Sequence, residues 1–127
     1  MKSLLFLVLF SSAAFWEDSA NLANITKAIQ DGNADALGTY FDTSVEVAVP
    51  GQEGMFNKTQ AIGLVKTFFS KNKPTSFSQV HKGAPPNNDS QYCIGNLVAG
   101  GSTFRVYIYM KNSGGSALIQ ELRFDKE

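Results

Sequence analysis

The sequence is poor in the residues that build metal centres and covalent cross-links, with one cysteine and one histidine in 127 residues. The single Cys93 excludes an intrachain disulfide, and it lies too far from the N-terminus to be a lipid-attachment cysteine. One histidine, one cysteine and carboxylates without ligand spacing do not make a zinc set. We therefore expect no metal and no cofactor, and we interpret Cys93, in an apolar run, as a small buried hydrophobic residue.

The sequence also lacks an excess of charge of either sign. Eleven Lys and Arg residues balance eleven Asp and Glu residues, so the formal net charge is zero. Nucleic acids and anionic membranes are bound through clustered positive charge, which this composition does not supply. The prediction is no nucleic-acid partner.

No hydrophobic run approaches the roughly 20 residues that a membrane-spanning helix needs. The apolar run Leu4–Phe10 follows Lys2 and precedes the small residues Ser11–Ala14. A short apolar run with these flanks is typical of a cleaved export signal. We expect residues 1–14 to be a signal peptide, residues 15–127 to be one domain, and the product to be periplasmic or secreted without a stable membrane anchor. A buried N-terminal helix or strand is the alternative.

Three helices are predicted from the spacing of apolar residues and from capping residues. The first runs over 18–30 and ends at Asp31-Gly32, because glycine closes a helix at little steric cost. A short second helix follows the cap Asn33 and extends through Phe41. The third starts at Asn57, where Gln60 three positions later completes a capping box, and it carries a wide apolar stripe.

The rest of the chain is predicted to form strands. Ser44–Val49 alternates between apolar and polar residues and ends at Pro50-Gly51. Four further strands, separated by short turn-rich segments, are predicted over 76–82, 91–98, 103–111 and 117–125. Short connections favour antiparallel neighbours, so the pattern predicts an α+β domain with helices packed on a mainly antiparallel sheet.

This order of elements resembles the cone-shaped nuclear-transport-factor-2-like fold, which is related to the cystatin-like folds. A second resemblance rests on stretches spread over most of the chain: Ile25–Ile29, Gly32–Ala34, Val45–Val47, Asn57–Ala61, His81–Gly83, Ile94–Leu97, Phe104–Ile108 and Gln120–Arg123. In these stretches the sequence resembles family 4783 of the domains of unknown function, a set of small exported proteins mainly from Bacteroidetes. The resemblance implies a curved sheet and a tapering pocket, but it implies no activity.

Strand alternation predicts which residues of the strand over 103–111 face outward. Phe104, Val106 and Ile108 share one face and should lie under the helices, which leaves Arg105, Tyr107 and Tyr109 outside. Tyr and Arg are enriched at protein interfaces. Because relatives with this fold commonly dimerise through the outer sheet face, we interpret these three residues as interface or surface-recognition residues and expect a homodimer. A catalytic role is the alternative.

Four other residues are candidates for a pocket. Glu46, His81 and Glu121 are weak candidates for a general base, and Gln120 shares alternation with Leu118, Leu122 and Phe124, which makes it a candidate polar group in an apolar pocket. Ordinary surface or structural roles remain open for all of them. Two functions follow: a non-enzymatic module that binds a small apolar ligand or a protein partner, or a pocket enzyme of the isomerase or dehydratase kind.

Overall fold

The computed structural model describes residues 13–84, 89–113 and 116–127. Its helices are α1 (Ala13–Asp31), α2 (Ala34–Gly38) and α3 (Lys58–Lys71). Its strands are β1 (Phe41–Val49), β2 (Gln52–Asn57), β3 (Pro74–Gly83), β4 (Ser90–Ala99), β5 (Ser102–Ser113) and β6 (Ser116–Lys126). Most of the predicted signal peptide, residues 1–12, lies outside the described residues, so the export signal stays a prediction.

The six strands form one curved sheet in the order β2-β1-β6-β5-β4-β3. All neighbours are antiparallel except β1 and β6, which run parallel and join the early strand to the last one. The α+β class and the mainly antiparallel sheet are therefore as predicted.

The predicted caps position the helices. At the start of α3, the Asn57 side chain accepts a hydrogen bond from the Gln60 backbone N–H at 2.8 Å. The Gln60 side chain accepts one from the Asn57 N–H at 3.3 Å, so both halves of the capping box are present. Gly32, with φ of 68°, ends α1, and Asn33 caps α2. Each device satisfies backbone groups that a helix end leaves without partners.

The helices cover one face of the sheet and bury its apolar side chains. Phe104, Val106, Ile108 and Met110 of β5 are all buried, as the alternation predicts. They belong to one core cluster with Ile25 and Ile29 of α1 and with Val65 and Phe68 of α3. The face that carries Arg105 and Tyr107 is the uncovered one, which confirms the central prediction of the sequence analysis.

The predicted second helix is too long. It ends at Gly38, and Phe41 begins β1 instead of ending α2. The reason is that the Ile119 N–H of β6 donates a hydrogen bond to the Tyr40 carbonyl at 2.6 Å. Pairing with β6 draws Phe41 into the sheet, and the local sequence does not reveal this pairing.

Strand β2 is absent from the prediction. Pro50-Gly51 ends β1, as predicted, and it also forms a tight turn that pairs Val49 with Gln52 of β2. Gly51 has φ of 89°, a conformation that favours glycine after proline in a tight turn. Because β2 lies at the sheet edge and its residues are mostly exposed, it has little apolar alternation to mark it.

Candidate functional site

The outer sheet face, opposite the helices, brings together most of the predicted site residues. It is defined by side chains that lie side by side in three rows across the sheet. The first row is Glu46, Glu121, Tyr109 and Tyr92; the second is Glu53, Ala48, Arg123, Tyr107, Ile94 and His81; the third is Asp125, Arg105 and Asn96.

The interface candidates lie at the centre of the outer sheet face. Arg105 is exposed, whereas Tyr107 and Tyr109 are half-buried by their neighbours. The Tyr107 ring stacks with Tyr92 of β4, with ring centroids 6.4 Å apart. A flat aromatic surface flanked by polar tips results, and surfaces of this kind are common at protein interfaces.

Arg123 organises the charges of this face. Its guanidinium lies 3.2 Å from Glu53, 3.6 Å from Asp125 and 4.0 Å from Glu121. The hydrogen bond to Glu53 contributes most to raising the pKa of Arg123 above its usual range. One cation thus holds together carboxylates from β2 and β6.

Glu46 and Glu121 lie directly opposite each other on the parallel strands β1 and β6. The pKa of Glu121 is raised, first by partial burial and then by the negative charge of Glu46, while Arg123 opposes the shift. The pKa of Tyr107 is also raised, mainly by burial and secondly by Glu121. The two glutamates therefore form a repelling pair that Arg123 only partly neutralises.

His81 lies on the edge strand β3 and is exposed. Its Nε2 is 2.7 Å from the Tyr92 hydroxyl. Tyr92 in turn stacks on Tyr107. His81 therefore extends the aromatic part of the outer sheet face and is separate from the helix-covered core.

Arg105 is held in place by side chains at its own end of the outer sheet face. Its Nε donates to the Asn96 Oδ1 at 3.3 Å, and its guanidinium pairs with Glu127 at 3.1 Å. Both partners are at least partly exposed. Arg105 thus stays accessible with its direction fixed.

The expectation that Gln120 points into an apolar pocket is wrong. A β-bulge in the β5–β6 pairing changes the alternation, so the buried residues of β6 are Ala117, Ile119, Leu122 and Phe124. Gln120 and Leu118 are half-buried instead, and the Gln120 amide donates a hydrogen bond to Asp42. The prediction assumed regular alternation of side chains along the strand, and a bulge breaks that alternation.

Aromatic side chains pack between α3 and the sheet. The Phe68 ring packs against Phe104 and Phe124, with centroids 5.1 Å and 4.5 Å apart, and against Phe69. Of the side chains that the structure describes, no polar or charged one is buried. Cys93 is buried, as predicted, and burial raises the pKa of its thiol.

Within the described part of the chain, no three His, Cys, Asp or Glu side chains converge on a point where a metal ion would fit. A search of the same residues finds no helix with the length and apolar character required to cross a membrane.

The family model DUF4783, a domain of unknown function, matches residues 22–125. The chain belongs to the DUF4783 family. Two solved DUF4783 proteins are similar to it, each with a TM-score of 0.78 and covering 83% of this chain. The protein from Bacteroides ovatus is 28% identical over 94% of its own length, and the one from Bacteroides uniformis is 27% identical over 95%.

More distant structures show the wider fold of this DUF4783 protein. An NTF2-like protein of unknown function from Silicibacter pomeroyi has a TM-score of 0.63 at 14% identity, covering 94% of this chain and 100% of its own. A protein described as a putative dehydratase of the NTF2-like family from Streptomyces avermitilis has a TM-score of 0.67 at 9% identity. The match covers 92% of this chain and 98% of the Streptomyces protein. The fold is therefore NTF2-like, as predicted. No curated protein is similar enough to this chain to count as a relative.

Sequence reasoning missed several residues of the outer sheet face in this DUF4783 protein. Glu53 was missed because β2 was not predicted. Arg123 was overlooked although the signal was present, since Glu121, Arg123 and Asp125 alternate with the buried Leu122 and Phe124. Tyr92 could have been found by the same alternation around Cys93.

Proposed function

We propose that this DUF4783 protein is an exported, non-enzymatic binding module whose outer sheet face binds a second copy of the chain. The observation that carries the proposal is the position of Arg105, Tyr107 and Tyr109 together on the uncovered face of β5. Large aromatic side chains and arginine supply most of the binding energy at protein interfaces. Here they lie on a rigid six-stranded sheet.

The spacing along β5 favours a symmetric contact. Tyr107 lies midway between Arg105 and Tyr109, and residues two apart on a strand are separated by about 6.6 Å. A two-fold axis through Tyr107, perpendicular to the strand, would place Arg105 of one copy over Tyr109 and Glu121 of the other. Cation–π and ionic contacts would then form twice, which matches the self-complementarity that a two-fold dimer requires.

The isomerase or dehydratase alternative has less support. Such an enzyme needs a titratable group beside a hydrogen-bond donor inside an enclosed cavity. Glu46, His81 and Glu121 all lie on the outer sheet face, on the far side of the sheet from the aromatic core. The fold alone does not choose a function, so the likeness to a putative dehydratase adds no evidence of catalysis.

Light scattering coupled to size-exclusion chromatography tests the dimer. The expected result is a dimer for the wild type and a monomer for Tyr107→Asp, because the added charge would be buried against its own symmetry mate. Thr59→Asp is the matched control, since it adds the same charge at an exposed position on α3 and should leave the dimer intact. A monomeric wild type, or a dimer that survives Tyr107→Asp, would refute this interface.

Export is tested separately by the mass of the mature protein. When the full chain is expressed in a Gram-negative bacterium, we expect it outside the cytoplasm and shortened by a cut near residue 14. Recovery of an uncut chain from the cytoplasm would contradict this part of the proposal.

A further inference from the structure

A cleft of about 270 Å³ lies where the C-terminal half of α3 meets the β1–β2 turn. It is on the helix-covered side of the sheet, away from the outer sheet face. Its apolar wall consists of Val49, Leu64, Phe68 and Phe104. The rings of Phe68 and Phe104 meet edge to face, so aromatic carbon forms part of this wall.

Two cations line the same cleft, Lys71 at the end of α3 and Lys126 at the end of β6. No carboxylate is among the residues that line it. Among the side chains that the structure describes (residues 21–84, 89–112 and 116–127), no carboxylate lies within ion-pair distance of either lysine, whereas Lys27 and Lys66 are paired. The cleft therefore combines an apolar wall with two lysines that have no ion-pair partner among the described side chains.

We propose that this cleft binds a small carboxylate with an apolar tail, the carboxylate lying between Lys71 and Lys126 and the tail against Phe68 and Phe104. Coulombic attraction to the two ammonium groups favours binding of the carboxylate. Transfer of the apolar tail from water to the aromatic wall also lowers the free energy of binding. The volume of the cleft lies just below the usual range for ligand sites, about 300 to 1,000 Å³, so the ligand is small.

Simpler ligands fit the cleft less well. An uncharged apolar molecule would contact the apolar wall but leave the two exposed ammonium groups without an ionic partner. Inorganic phosphate would meet the lysines but leave the apolar part of the cleft unfilled. Only a ligand with both an anionic group and an apolar tail would contact both the lysines and the apolar wall.

The test is a titration followed by amide NMR shifts, with phenylbutyrate, phenylbutanol and inorganic phosphate as probes. Phenylbutyrate should shift residues 49–52, 64–72, Phe104 and Lys126. Phenylbutanol has the same tail without the charge and should bind several-fold more weakly, while phosphate should bind weakly or not at all. Equal binding of acid and alcohol, or shifts confined to the outer sheet face, would overturn the proposal.

Variants separate the charge from the apolar wall. Lys71→Gln and Lys126→Gln should each weaken phenylbutyrate binding by roughly two- to five-fold, as expected for solvent-exposed ionic contacts. Lys73→Gln, a nearby exposed lysine outside the cleft, should leave it unchanged. Thr67→Trp, which fills the cleft from its exposed rim, should abolish binding. An unchanged affinity in both lysine variants would exclude the site, and none of these outcomes depends on the dimer.

Discussion

The Phe77 ring of β3 lies directly over Gly95 of β4 on the helix-covered face. A β-carbon added at Gly95 would overlap that ring and would come within 2.8 Å of the Ser78 carbonyl oxygen. The absence of a side chain at Gly95 is thus what allows Phe77 to pack against the core. The pair is a close contact of the kind that a strand glycine permits.

Gly95→Ala is therefore expected to destabilise the protein by about 1 to 3 kcal/mol, because the Phe77 ring and the backbone of β3 must both shift. The free energy of unfolding is measured by urea denaturation. Gly63→Ala in α3 is the matched control, since a β-carbon there meets nothing within 4 Å. In a helix interior that change should stabilise by about 0.5 to 1 kcal/mol. A change in the free energy of unfolding of the same sign for both variants would contradict the packing of Phe77 over Gly95.

Removal of the capping residue of α3 should cost stability. Asn57→Ala breaks the hydrogen bond from the Gln60 N–H and leaves that backbone group without its partner. The expected loss is about 1 kcal/mol in the free energy of unfolding. Thr59→Ala, an exposed change in the same helical turn, should have little effect, and equal losses for the two would show that the cap is not responsible.

Arg123 is expected to matter more than an ordinary surface arginine. Arg123→Gln leaves Glu53, Glu121 and Asp125 without their shared cation, so the carboxylates repel one another. We expect Arg123→Gln to lower the free energy of unfolding by about 1 kcal/mol. Lys27→Gln breaks one exposed ion pair along a helix and should lower it by less. The difference should shrink at high salt, since screening weakens exposed charges. A salt-independent loss would point to packing instead.

Glu121 should make stability fall as the pH rises. Its folded-state pKa is raised above the ordinary value of 4.5, so between these two values the folded chain binds more protons than the unfolded chain. Stability therefore decreases as the pH rises from 4.5 through the raised pKa. Glu121→Gln should flatten this part of the profile when unfolding is measured over about pH 4 to 7. Glu127→Gln serves as the control, and an unchanged slope in Glu121→Gln would refute the assignment.

The elements of the fold that could be predicted from the sequence are those determined by residues close together in the chain. The α3 capping box, the glycine end of α1 and the alternation of β5 depend on residues close in sequence, and all three were found. Strand β2 and the early start of β1 were not found, because their pairing partners lie far along the chain or at an exposed edge. Gln120 was misplaced since a bulge is set by the fit between two strands.

In the candidate site, too, features set by one strand could be predicted and features set by the pairing of distant strands could not. Arg105, Tyr107 and Tyr109 could be assigned to the uncovered face from β5 alone. That Glu46 faces Glu121, or that Arg123 reaches Glu53, depends on the β2-β1-β6 order, which places strands from opposite ends of the chain together. The cleft between α3 and the β1–β2 turn has no sequence signature, because its lining comes from four separate segments of the chain.

The parallel pairing of β1 with β6 has a consequence for folding. The hairpin of β1 and β2 is made early during synthesis, but it joins the remaining sheet only through the last strand. Contacts this distant in sequence raise the contact order and slow folding. A ribosome-bound chain that still lacks β6 would hold two detached pieces of sheet, so the complete core can assemble only after synthesis has reached the C-terminal strand.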